Sequence, residues 1–244
     1  MNIESFIFGT YPYIVLTIFL LGSWVRFDRE QYTWKSDSSQ LLSNKCLRRA
    51  SNLFHVGILA IFFGHLFGLL SPPALFHAIG ISDVGHQYVA IILGLIFGTL
   101  CLIGAVMLLL RRLLIKRIYV NSRLMDIFIL VWLLVTLLLG LSTLPSSWHH
   151  ATNGDASIML ALSEWVRGAL IFQADPGLLA DVGTVFKIHL FFGMTVFLLF
   201  PFTRLVHIWS FPVGYLSRAC LFVRTKRKLE RSSTRRLIRS RQNV

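Results

Sequence analysis

Five stretches of this chain, near residues 7–24, 52–70, 88–110, 125–144 and 185–207, are long and apolar enough to cross a bilayer core. Such a crossing takes about 20 residues of helix. Lipid offers no hydrogen-bond partners to a backbone, so each span must be a helix that satisfies its own amides and carbonyls. The expected fold class is all-α integral membrane, with five transmembrane helices. The first span has Glu4 where a signal peptide has a basic leader, and it has no small-residue cleavage site. It is therefore expected to stay as an anchor. A hydrophobic share of 55% is too high for a disordered chain, and three Cys are too few for a disulfide scaffold.

The chain is also strongly basic, with 24 Lys and Arg against 11 Asp and Glu and a formal net charge of +13. The basic residues sort onto alternate connections. The first connection and its margins carry Arg26, Arg29, Lys35, Lys45, Arg48 and Arg49, and the second carries none. The third has Arg111, Arg112, Lys116, Arg117 and Arg123. The long fourth has Arg167, with Lys187 just inside the next span, and eleven more follow from Arg204 onward. So 22 of the 24 fall on one side. Cytoplasmic loops hold the Lys/Arg excess, which predicts an outer N-terminus and a cytoplasmic C-terminus. Five spans fit this alternation, and four or six do not. The tail after Arg224 reads as facing anionic lipid or a partner, and no nucleic acid is expected. Cys46 and Cys220 fall on the inner side and Cys101 within a span, so no disulfide is expected.

Ionisable residues inside a bilayer are costly, and each marks a candidate site. Of eight His, four lie in outer segments: His77, His86, His149 and His150. The other four sit within or at the ends of two spans, His55 and His65 on the second, His189 and His207 on the fifth. Antiparallel helices bring His55 level with His207 and His65 level with His189. That arrangement suits two haems, one above the other between the second and fifth helices, each ligated by two neutral imidazoles. Zinc would want four close ligands, and no Cys or Asp accompanies these His. No Cys-x-x-Cys-His occurs, so the haems would be non-covalent b-type.

One spacing resists a straight helix. His55 and His65 are about 15 Å apart along a helix, whereas 18 residues separate His189 from His207, about 27 Å. Tilted helices, inclined haems or a kink at Pro201 would each reconcile them. Gly57, Gly64, Gly68 and Gly193 lie near the ligands and would let a flat ring approach the backbone. Gly64-x-x-x-Gly68 and Gly94-x-x-x-Gly98 equally match close helix packing. Arg204, one turn from His207, could pair with a haem propionate or snorkel to the interface. Ile158, Met159, Leu162, Trp165 and Val166 recur at helical spacing in the outer connection. They make either an amphipathic helix on the outer interface or a capped helix covering the bundle.

At these residues the chain resembles the gamma subunit of respiratory nitrate reductase, a membrane cytochrome b. The resemblance lies in Tyr-Pro-Tyr at 11–13, Gly22-Ser-Trp-Val-Arg26, Gln31-Tyr-Thr-Trp34 and Ser51-Asn-Leu-Phe-His55-Val-Gly-Ile-Leu. It continues in Gly64-His65-x-Phe-Gly68, Leu102-Ile-Gly104 and His189-Leu-x-x-Gly-Met-Thr. It ends in Phe197-Leu-Leu-Phe-Pro-Phe-Thr-Arg-Leu-Val-His207-Ile-Trp-Ser, and covers roughly residues 10 to 220. It implies a five-helix membrane cytochrome b domain, expected over 1–223; the basic cytoplasmic tail at 224–244 extends beyond the resemblance. It also implies His55 and His207 as ligands of the inner haem iron, and His65 and His189 as ligands of the outer one.

By the same resemblance, the subunit oxidises quinol near the outer haem and releases protons outside. Electrons then reach a cytoplasmic iron–sulfur subunit and a molybdenum catalytic subunit by way of the two haems. This chain has no Cys set for a cluster and no room for a molybdopterin domain, so partner subunits must supply both. The implied location is the cytoplasmic (inner) membrane of a prokaryote. Family members place a Lys, implicated in quinol binding, at the outer start of the third span. Here that stretch is Ser82-Asp-Val-Gly-His-Gln-Tyr88, with Gly85 in the Lys position and His86 beside it. The candidate quinol contacts are Gly64, His65 and His86, with His86 suited to accept a proton or serving only as a solvated loop residue. Two other readings stand beside this one: a dihaem anchor for a different oxidoreductase, and a His-based proton channel or transporter. Transporters usually show broken helices or inverted repeats near the midplane, and neither is visible in the sequence.

Overall fold

The computed structural model describes residues 2–30 and 45–209, and everything below concerns those residues. The basic tail at 224–244, Lys35, Cys220 and the Gln31–Trp34 motif lie outside them. Eight α-helices carry the fold, five of them long and apolar enough to span a membrane. The spans are α1 (Ile3–Arg29), α2 (Lys45–Leu70), α4 (Asp83–Leu114), α6 (Leu124–Thr152) and α8 (Thr184–Leu199). Shorter helices α3 (Pro73–Ala78), α5 (Lys116–Val120) and α7 (Ser157–Leu170) lie in the connections. No strand is present among the described residues.

The side chains on the spans face outward as lipid-facing ones do. Only 6% of the most apolar window of α2 is buried, and Val56, Leu59, Phe63 and Phe67 lie open. A soluble monomer rarely shows so wide an apolar surface. α2 leans on α4 through small residues. A Cβ on Gly57 would fall 2.6 Å from Cys101, and one on Gly104 would collide with the Phe54 backbone. Ala50, Cys101 and Ala105 complete this seam, almost wholly buried. Gly57 therefore serves packing, not ligand approach. Gly98 does the same between α4 and α6, where its Cβ would meet Leu141. Further round the bundle α6 packs on α8 and α8 on α1, while α2 and α8 share no extensive contact.

The two ends of the bundle are built differently. At one end the tightest apolar cluster joins Phe8, Trp165, Leu179, Val182 and Phe186. Trp165 of α7 donates Nε1–H to the Phe8 carbonyl at 3.0 Å, on the wide π turn Phe6–Thr10. Thus α7 covers the bundle; of its two sequence readings, the covering helix is the one realised. Asp155 caps it, accepting from the Ser157 amide at 2.8 Å. That amide, then the Ser157 hydroxyl and His150, hold the Asp155 carboxyl down to about 2. Lys187 pairs with Glu4 at 2.9 Å across α8 and α1 at this end.

The other end gathers Arg26, Arg111, Arg112, Asp126 and Arg204, and is called here the basic end. Arg112 pairs with Asp126 at 3.2 Å, and Arg204 reaches the same carboxylate at 3.8 Å. The fifth span does not run helically to His207 with a kink, as its apolar length suggested. α8 stops at Leu199, Phe200–Phe202 forms a 3-10 turn, and Thr203 is extended (φ −117°, ψ 179°). A second 3-10 turn, Arg204–Ile208, carries His207. Pro201 has no amide hydrogen and crowds the preceding turn, which favours a break in the helix here. The carbonyls freed by this break would each cost several kcal/mol unpaired in lipid. Arg26 satisfies two of them, donating to Pro201 O at 2.6 Å and Thr203 O at 2.9 Å.

Candidate haem and quinol sites

All four membrane histidines share one hydrogen-bonding pattern. His65 Nδ1 donates to Ile61 O at 2.8 Å, and His55 Nδ1 to Ser51 O at 2.7 Å, each the carbonyl one helical turn back. His207 Nδ1 donates to Arg204 O at 2.5 Å within its 3-10 turn. His189 Nδ1 reaches across to Thr136 O of α6 at 3.1 Å. A carbonyl only accepts, so in each ring Nδ1 carries the hydrogen and neutral Nε2 keeps its lone pair. A ligating imidazole is usually held in this way by a partner on its other nitrogen. The remaining His differ. His77 Nε2 meets Asp83 at 3.0 Å, His150 Nδ1 meets Asp155 at 2.9 Å, and His149 faces Asn153.

One of the two expected pairs is brought close together. His65 and His189 stand with centroids 6.2 Å apart, their planes tilted by 50°. Two imidazoles ligating one metal from opposite sides, at metal–nitrogen distances of about 2 Å, have ring centres about 6 Å apart. With α8 broken after Leu199, the 18 residues from His189 to His207 need not span the full length of a straight helix.

Space beside the far-end pair fits a flat group. A Cβ on Gly64 or on Gly193 would meet nothing within 4 Å, while one on Gly140 would strike the His189 ring at 2.9 Å. Gly140 therefore gives His189 its room, a role the sequence reading missed because the residue lies on α6. Gly64 and Gly193 are not packing residues; a side chain there would meet open space. Among the described residues no three His, Cys, Asp or Glu side chains converge as a protein-only metal site would require. Two axial imidazoles with glycine beside them suit a haem. Arg204 joins the basic-end pair through its carbonyl, and its guanidinium is engaged with Asp126.

His86 stacks on Phe76 with centroids 3.9 Å apart and planes within 19°. Its Nε2 faces Gly68, where a Cβ would stand 3.5 Å away. Gly68 is three residues past His65, about 4.5 Å along α2. His86 thus lines a small cavity next to the far-end pair, together with Gly68, Ser71, Asp83, Ser163 and Arg167. Asp83 and Arg167 were not among the candidate contacts. Asp83 lies one turn before His86 on α4, whereas only the fold brings in Arg167, through the covering helix α7. Gly85 instead uses its amide to cap α4, donating to Ser82 Oγ at 3.1 Å.

Known proteins agree with this architecture. The family model for the nitrate reductase gamma subunit matches residues 4–226. The chain is 47% identical over 226 residues to the respiratory nitrate reductase 2 gamma chain of Escherichia coli K12, covering 92% of this chain and 98% of that one. It is 45% identical over 225 residues to the respiratory nitrate reductase 1 gamma chain of the same organism, with 92% and 98% covered. The nitrate reductase gamma chain of Bacillus subtilis 168 is 37% identical over 220 residues, with 90% and 97% covered. With five apolar helices, such kinship makes this a multi-pass protein of a prokaryotic inner membrane. The chain belongs to the nitrate reductase gamma subunit family and is a membrane subunit of that multi-subunit oxidoreductase.

Proposed function

We propose that this chain is the quinol-oxidising, electron-transfer subunit of its complex, carrying two b haems between α2 and α8. His65 and His189 hold the far-end haem, and His55 and His207 hold the one at the basic end. The observation that carries this reading is the far-end pair: two Nδ1-anchored imidazoles, 6.2 Å centre to centre, beside open space at Gly64 and Gly193. Bound there, the haems supply two one-electron centres stacked across the membrane. The chain's own residues do the rest. The backbone carbonyls of Ile61, Thr136, Ser51 and Arg204 keep each Nε2 free.

Quinol binds beside His86, at the end of α2 that carries His65. His86, stacked on Phe76, accepts a proton from the quinol hydroxyl, with Asp83 facing it to steady the resulting charge. Arg167 and Ser71 close the cavity, with Arg167 donating to Ser71 O at 3.3 Å. The far end faces outside, so protons leave there. The basic end faces the cytoplasm, where it docks the iron–sulfur subunit and through it the molybdenum catalytic subunit, and meets anionic lipid. That orientation is supported by the Lys/Arg asymmetry. The placement of the break after α8 also argues against a transporter, whose broken helices lie near the midplane; here the break is at the basic end. Reduced-minus-oxidised spectra of purified protein test the reading. Two low-spin b haems reducible by a quinol are expected, and a chain purified without haem would refute it.

A further inference from the structure

His207 is the one membrane histidine whose ring does not stand on an α-helix. It lies beyond Pro201, on a 3-10 turn reached through extended Thr203. A segment like this has no helical ladder to hold its direction. Its fixings come from α1. Arg26 Nη1 donates to both Pro201 O and Thr203 O, bridging the step between the two 3-10 turns. One turn back on the same helix, Gly22 lets Pro201 press in; a Cβ there would stand 2.9 Å from Pro201 Cγ. Phe19, a turn further, packs edge-on against Phe200 at 5.0 Å. The segment is thereby seated, with Pro201, Thr203 and Val206 all buried. Arg204, whose carbonyl anchors His207 Nδ1, follows directly.

We propose that Arg26 is a positioning residue for the inner haem: by tying Pro201 and Thr203 to α1 it aims His207 at His55. The inference rests on the haem assignment above. Arg26 touches neither haem nor quinol in this role. It is a positive-side residue by position, but only one of six basic residues on that connection, so its charge alone does not set topology.

The test uses the full-length chain in native membranes with its bound subunits. Spectra of His55→Ala and His65→Ala first define which signal belongs to which haem. Arg26→Met removes the donors at similar size, and is expected to lose the inner-haem signal or shift its midpoint potential while the outer signal stays intact. Gly22→Val pushes Pro201 away from α1 and should give the same selective loss. Arg26→Lys, which retains several N–H donors, should restore the inner haem in part. Arg29→Met removes an equal charge without touching the segment, and should keep both haems. An inner-haem signal and potential unchanged in Arg26→Met would overturn the proposal. So would equal loss of both haems, which would mean collapse of the bundle. Wild-type membranes showing no haem would instead overturn the haem assignment itself, a different and recognisable result.

Discussion

The two histidine pairs use the same chemistry on different backbones. At the far end, His65 and His189 both stand on continuous α-helices, and a third helix helps to aim one of them through Thr136 O. At the basic end, His55 is helical but His207 hangs on a 3-10 segment that α1 holds in place. A ligand on a regular helix is aimed mainly by helical period. A ligand past a proline is aimed by whatever holds the irregular backbone. Changes at the far-end pair should therefore act through the ligand or its immediate space, whereas the basic-end pair should also respond to changes a helix away.

Removing ligands is the strongest way to break the comparison. His65→Ala and His189→Ala should each abolish the same haem, and His55→Ala and His207→Ala the other, read by difference spectroscopy. Cross-pairing would overturn the antiparallel geometry. Next in size are two glycine replacements with opposite readouts. Gly57→Leu must clash with the Cys101 backbone and should lose the folded protein, at a cost above about 3 kcal/mol. At Gly64 a Cβ meets nothing within 4 Å, so Gly64→Leu should leave helix content and thermal unfolding of the apoprotein unchanged, yet lower far-end haem occupancy. A Gly64→Leu chain with both haems at full occupancy would show that the open space serves something else.

His86→Asn should slow quinol oxidation by about 100-fold with both haem spectra intact, the size expected for losing a proton acceptor. An unchanged rate would return His86 to an ordinary loop residue. The smallest effect concerns Ser51, whose hydroxyl lies 3.1 Å from His55 Nδ1 beside the stronger carbonyl bond. Ser51→Ala removes one hydrogen bond worth about 1 kcal/mol and should move the inner haem's potential by about 40 mV or less. The outer potential should not move, which redox titration would check.

Much of this was legible along the chain. Span number came from apolar length, and the nearness of His65 to His189 came from helix direction alone. Span ends were less legible. The fourth helix reaches Thr152 rather than 144, because Leu144–Trp148 continues helically past the apolar window with Pro145 inside it. The fifth stops earlier than its hydropathy suggested, since Pro201 ends the ladder while the residues beyond stay apolar. Gly64 and Gly57 look alike in sequence, yet one faces open space and the other a neighbouring backbone. Hydropathy cannot separate them, because both sit on the same greasy helix.

What the sequence by itself determined is therefore what depends on period and sign. A helix in lipid needs a fixed length of apolar residues, cytoplasmic loops keep their Lys and Arg, and antiparallel spans order their histidines. Tertiary structure decided which helix face meets which. It put Gly140 under His189, Arg167 over His86, α7 across the bundle, and Arg26 against the broken end of α8. These contacts join residues from 49 to 177 positions apart. No local pattern encodes such contacts, because each depends on how two independently formed helices rotate and pack against each other.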